Sequence, residues 1–194
     1  MSASKQFALA VIAAMSVVAC AGDDTRNQTA RDTTPGAAQG TAGTSGSASV
    51  DRDFVENQLA DGQAEVVLGQ LAAQRASSPA VREFGEMMVR DHQKAGEDLK
   101  QLATKHNIQL TTTMDDEHNE LRERLAKLSG VEFDREYIKA MVEDHQEAVD
   151  DTREKAERGD NTDIKQWASK TLPVLEQHLE RAKQIQNQLD NQRQ

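Results

Sequence analysis

The stretch VREFGEMMVRDHQKAGEDLKQL, residues 81–102, decides the fold. Val81, Phe84, Met88, His92, Ala95, Leu99 and Leu102 follow one another in steps of three and four. That is the period of one face of an α-helix. Part of the stretch, MVRDHQKA at 88–95, returns almost letter for letter as MVEDHQEA at 141–148. Both copies put a histidine, His92 and His145, on the face the helix should bury. A buried imidazole costs free energy unless partners satisfy its nitrogens. The repetition therefore asks what the histidines meet inside.

Working outward, the same period predicts a helix over 79–106, with Ser78 as its cap and Pro79 in its first turn. Val55, Leu59, Gly62, Val66 and Gly69 mark a preceding helix over 52–75. Residues 107–114 read as a loop, and Leu121, Leu125 and Leu128 as the stripe of a short helix over 115–128. Ser129 and Glu132 have capping-box spacing ahead of a helix over 131–158, carried by Phe133, Tyr137, Met141, His145, Ala148 and Thr152. Thr162 is a plausible cap for the last helix, 163–190, with Ile164, Ala168, Thr171, Leu175, His178, Ala182, Ile185 and Leu189 inward. Pro173 lies inside it and should kink or split it. No segment reads as a strand. The expected fold is all-α, a four-helix bundle with a short extra helix in the crossover between the second and third long helices. A crossover running the length of the bundle makes those two helices parallel, as in ferritin-like folds. A simple up-down bundle with an appended helix is the alternative.

The histidines converge on this plan. His92, His145 and His178 each lie roughly 20–23 Å along their helices at 1.5 Å per residue. Glu65, on the flank of the first helix's stripe, falls at the height of His92. Three imidazoles and one carboxylate at one level suit a single divalent ion such as Cu, Zn, Mn or Fe. Met88 and Met141, one turn before their histidines, are thioethers that favour copper as ligands and otherwise fill the core. Asp91 and Asp144 point about 100° away from the histidines they precede, either orienting ligands from behind or facing solvent. Without a metal, the same groups make a hydrogen-bonded polar layer that sets the register of the bundle. His106 and His118, near the crossover, are expected at the surface.

The N-terminus reads as an address. Lys5 and the apolar run Phe7 to Val18 suit a signal peptide over 1–19, too short for a comfortable permanent span. Val17-Val18-Ala19-Cys20 resembles a bacterial lipobox, which implies cleavage before Cys20 and its acylation. Ala21 after the cysteine favours the outer membrane of a two-membrane bacterium, facing the periplasm; a soluble periplasmic or secreted protein is the alternative. Residues 20–50 are then the lipidated cysteine and a disordered Gly/Ala/Ser/Thr-rich tether, spanning roughly 30 Å. The bundle occupies 51–190 and a polar tail 191–194.

Of 194 residues, Cys20 is the one cysteine, which excludes an intrachain disulfide and a thiolate cluster. The net charge of -10 and an aromatic content of 3% argue against nucleic acid as a partner. A membrane reached through the lipid anchor is expected, and the sequence does not identify a protein partner. No nucleophile motif, phosphate loop or catalytic carboxylate pair is present. The sequence therefore favours a binding or structural protein over an enzyme, although a metal with an open position could activate water.

Four segments carry a resemblance: EVVLGQLA at 65–72, F-x-x-x-MV-x-DH at 84–92, FDREY-x-x-x-MV-x-DH at 133–145, and LP-x-L-x-x-HL at 172–179. Together they resemble bacterial domain-of-unknown-function family 4142, over about residues 51–190. The resemblance implies a ferritin-like bundle and an exported or outer-membrane protein, and implies no reaction. Di-iron ferritin-like proteins carry Glu-x-x-His motifs. Here Val89, Val142 and Leu175 stand three before the histidines, so a di-iron centre is not expected.

Overall fold

Four long helices and one short one account for almost all of the described chain. They are α1 (Thr44–Arg75), α2 (Pro79–Lys105), α3 (Asp116–Ala126), α4 (Gly130–Arg158) and α5 (Thr162–Asn191). The computed structural model describes residues 44–110 and 114–192. The expected signal peptide, Cys20 and the tether as far as residue 43 lie outside them, as do 193–194 of the tail. Among the described residues there is no strand, and no helix is long and apolar enough to cross a membrane.

The directions of the helices follow from who shares a core. One apolar cluster joins Leu68 and Ala72 near the end of α1, Val81 and Phe84 at the start of α2, Phe133 and Tyr137 at the start of α4, and Ile185 and Leu189 at the end of α5. A second joins Val55 and Leu59 of α1, Leu99 and Ala103 of α2, and Ile164 and Trp167 of α5, with Ala156 of α4 against it. So α1 and α5 run one way and α2 and α4 the other. The crossover carrying α3 returns along the bundle, and Leu121 and Leu125 end up in the first cluster. This is the parallel arrangement expected for the second and third long helices. The helices pack as α1 on α2, α4 on α5, α2 on α5 and α1 on α4, which leaves α2 and α4 across the diagonal.

Close approach is built into the first hairpin. A Cβ on Gly69 would lie 2.7 Å from the Gly85 carbonyl oxygen, and one on Gly85 would lie 2.7 Å from that of Gly69. The α1 and α2 backbones therefore touch, which any side chain there would prevent.

The helix ends depart from the local signals. α1 starts at Thr44 rather than 52, so residues 44–50, expected in the tether, are helical. Once packing holds a helix, each added residue brings its own hydrogen bond, and the start is pinned at Asp51, which is buried and pairs with Lys155 at 2.9 Å. Ser78 and Ser129 occupy cap positions, but neither side chain makes a cap bond, so no Ser129–Glu132 capping box forms. The buried carboxylate of Asp134, from α4, serves α2 instead. It accepts from the Ser77 N–H at 3.0 Å, the Ser78 N–H at 2.8 Å and the Ser77 hydroxyl. α5 is capped by Asn161, one residue before the expected Thr162, whose side chain accepts from the N–H groups of Asp163 and Ile164. Pro173 does not split α5, which continues through it as one helix.

A candidate metal centre

The two apolar clusters stop short of each other, and the gap holds Glu65, His92, His145 and His178. All four are buried. Each of the four long helices contributes one, at the height that counting along the helices predicts. Gly62 lies beside one of them, and a Cβ there would make an ordinary contact with His92 Nδ1 at 3.5 Å.

Glu65 faces two rings at once. Its Oε2 lies 2.8 Å from His92 Nδ1 and its Oε1 lies 3.1 Å from His145 Nδ1. His145 Nδ1 also lies 3.0 Å from the Met141 carbonyl oxygen. With only acceptors around them, both Nδ1 atoms donate. Asp91 plays the same part for the third ring, with Oδ2 at 3.1 Å from His178 Nε2. A carboxylate or carbonyl therefore holds one nitrogen of each imidazole.

The other nitrogens are His92 Nε2, His145 Nε2 and His178 Nδ1. His92 Nε2 is buried with no hydrogen-bond partner. His145 Nε2 and His178 Nδ1 lie 3.3 Å apart. One ring nitrogen of each histidine falls within 4.8 Å of one from each of the others. Glu65 is not a member of that triad. The sequence pattern offered it as a fourth ligand, and its oxygens meet Nδ1 of His92 and Nδ1 of His145.

Burial pushes the Glu65 carboxyl up, but His92 and His145 together hold it down at about 2. Burial also pushes His92 down, and Glu65 more than reverses this, so its net direction is up. His145 is lowered by burial, reinforced by His92 against the pull of Glu65. His178 falls to about 4, through burial first and then its two neighbours. Glu65 and His92 thus favour each other's charged forms, while burial favours the neutral imidazole at His145 and His178.

The flanking residues divide. Asp91 touches the layer through His178. Met88 and Met141 are fully buried in the first apolar cluster, and Met141 reaches His145 through its carbonyl oxygen. Asp144 belongs to another group. Its Oδ2 is 4.0 Å from His118 Nε2, and His118 Nδ1 is 2.6 Å from Asp115 Oδ2. Asp61, Asp115 and His118 also bring ligand-type atoms within 4.8 Å of one another. Burial, then Glu65, raises Asp61 to about 6 and Asp144 to about 7. His118, expected at the surface, is only 13% exposed in its side chain. The signal lay in its place three residues before Leu121, which extends the α3 stripe backwards. His106 is partly exposed and binds Asp163 at 2.8 Å, joining the end of α2 to the start of α5.

Comparison with known proteins agrees with this architecture. The profile of a domain of unknown function, DUF4142, matches residues 36–185, and the chain belongs to that family. The fold is similar to that of CopM in its Cu(II)-bound form, with a TM-score of 0.62 at 19% identity over 71% of this chain and 96% of that one. CopM in the Cu(I)-bound form gives 0.59 at 19% identity, over 69% and 93%. A DUF305 fragment from Deinococcus radiodurans gives 0.63 at 13% identity, over 71% and 95%. At these identities the likeness is one of fold. No curated protein matches the chain.

Proposed function

We propose that this protein binds one transition-metal ion between His92, His145 and His178, as a lipid-anchored protein of the bacterial envelope. The observation that carries the reading is the orientation of the rings. Metal-ligating histidines usually donate their second N–H to a carboxylate or backbone carbonyl. All three imidazoles are held in that way, by Glu65, the Met141 carbonyl and Asp91. Their remaining nitrogens are the ones left to bind. Two nitrogens bound tetrahedrally at 2.0–2.1 Å from one ion stand about 3.3–3.4 Å apart. His145 Nε2 and His178 Nδ1 already stand at 3.3 Å, so this pair has the spacing a small ion needs, and a nitrogen of His92 lies within 4.8 Å of a nitrogen of each. Imidazole suits Cu, Zn and Fe ions, and copper has the added support that CopM, of similar fold, is a copper-bound protein. In this reading Glu65 and Asp91 are positioning residues rather than ligands. The anchor rests on the lipobox-like residues ending at Cys20.

A second reading has its own support. The 3.3 Å contact also fits an N–H···N hydrogen bond, and the layer would then serve register in a structural or interaction module of the envelope.

Elemental analysis separates them. The purified full-length chain, without a histidine tag, is exposed to Cu, Zn, Mn and Fe and stripped of loose metal. One equivalent in the wild type and none in a folded His92→Ala, His145→Ala, His178→Ala variant is the expected result. No retained metal in either would sink the metal reading in favour of the polar layer.

A further inference from the structure

A cavity of about 30 Å³ lies against the histidine layer, with Glu65, Asp91, His92, Trp167, Val174 and His178 in its wall. That is room enough for a water molecule or a small ion. Outside it, an open groove of about 590 Å³ runs between α2 and α5. Asp91, Ala95, Trp167, Thr171 and Val174 belong to both. A single layer of side chains therefore separates the imidazoles from solvent on this side. α2 and α5 also share much less packed length than the partners within either hairpin. Two buried polar atoms without a hydrogen-bond partner, His92 Nε2 and Trp167 Nε1, belong to residues of the cavity wall. The groove along α4, of about 550 Å³, is lined by none of these residues.

We infer that the metal ion reaches the histidines through the α2–α5 groove, and that Asp91 is the carboxylate that meets it first. The inference rests on the metal reading above and adds the route. Asp91 is suited to the place. Its Oδ2 contacts His178 Nε2, while its Oδ1 accepts from Arg90 Nε at 3.2 Å, and its side chain is 29% exposed. It thus faces the layer with one oxygen and the surface with the other. Elsewhere along the groove three lysines, Lys94, Lys105 and Lys170, outnumber two carboxylates, Asp98 and Asp163, so attraction for a cation is local to Asp91. Ala95 and Val174 are uncharged residues of the wall that the two spaces share.

The protein carries its own reporter, since Trp167 is its one tryptophan and lines both spaces. Paramagnetic Cu²⁺ bound beside it should quench its fluorescence. Stopped-flow mixing of the metal-free full-length chain with Cu²⁺ gives the rate of loading. Val174→Phe and Ala95→Phe should each slow loading about tenfold, a rise of about 1.4 kcal/mol in the barrier, with one equivalent still bound at the end. Val174 is 37% exposed, so the larger ring has room to fold outwards. Gln146→Phe, in the α4 groove, should load at the wild-type rate, and Asp91→Asn should load more slowly. Wild-type loading rates in both Val174→Phe and Ala95→Phe would overturn the route while leaving the site intact. Absence of Cu²⁺ uptake by the wild type would overturn the site, and the route with it.

Discussion

His145 Nε2 and His178 Nδ1 face each other at 3.3 Å across the centre of the bundle, each ring held from behind by an acceptor. Two lone pairs at that distance repel unless a proton or a cation lies between them. The bundle cannot relax the contact by rotating one ring, because Glu65 and the Met141 carbonyl hold His145 and Asp91 holds His178. On the metal reading, a bound cation relieves this repulsion.

Glu65→Gln should keep a stoichiometry of one metal ion and lower its affinity about 10–100-fold, the usual effect of losing an outer partner of metal-bound histidine. Titration against a competing chelator measures this. Loss of the bound equivalent itself would make Glu65 a ligand.

Gly85→Ala should destabilise the protein by about 1–3 kcal/mol, the range for overpacking a tight contact. The new methyl would lie 2.7 Å from the Gly69 carbonyl oxygen and 2.8 Å from Ala72 Cβ. Denaturant unfolding reads the change, and wild-type stability would mean that the two backbones can separate at no cost.

Asp134→Ala should cost about 1–2 kcal/mol, because it removes the acceptor of two backbone N–H groups and a hydroxyl at the start of α2. Hydrogen exchange should show the first turn of α2 opening before the rest. Uniform protection along α2 would count against the carboxylate as its cap.

Asp61 predicts a pH dependence. Burial, then Glu65, lifts its carboxyl from 3.8 to about 6. The folded state holds this proton more tightly than the unfolded state does. Stability from this group therefore falls as pH rises from 3.8 to about 6, and the whole penalty is present above that interval. Asp61→Asn removes the penalty. It should stabilise the protein at pH 8 by on the order of 1 kcal/mol, about 2–4 °C in Tm for a chain of this size, and change little at pH 4. A lower Tm for the variant at pH 8 would mean that the attraction of His118 outweighs desolvation.

What the sequence disclosed and what it hid divide along a physical line. The stripe from Val81 to Leu102 and its counterparts required only periodicity, and they carry the four long helices and the common height of the histidines. The caps failed where the partner is remote: Ser78 has a local signature, but the acceptor is Asp134, 56 residues away from it. Asp144 could be placed about 100° from His145, yet what stands there is His118 of α3, and the course of the crossover is not written in local spacing. The height of Glu65 was legible, but counting along a helix does not say which nitrogen a carboxylate meets, and here it meets Nδ1 of both His92 and His145.

The twin motifs MVRDHQKA and MVEDHQEA sit on α2 and α4, which run in the same direction on opposite corners of the bundle. An approximate half-turn about the long axis carries one onto the other and brings both imidazoles to the middle. Copying one hairpin onto the next would instead have matched α2 with α5, since each closes its hairpin. The repeated letters thus mark equivalence under a spatial operation that chain order does not share. The crossover helix breaks that equivalence: Asp144 meets His118 of α3, while its twin Asp91 meets His178 of α5 and the open groove. One sequence word, used twice, has acquired two meanings from the company each copy keeps.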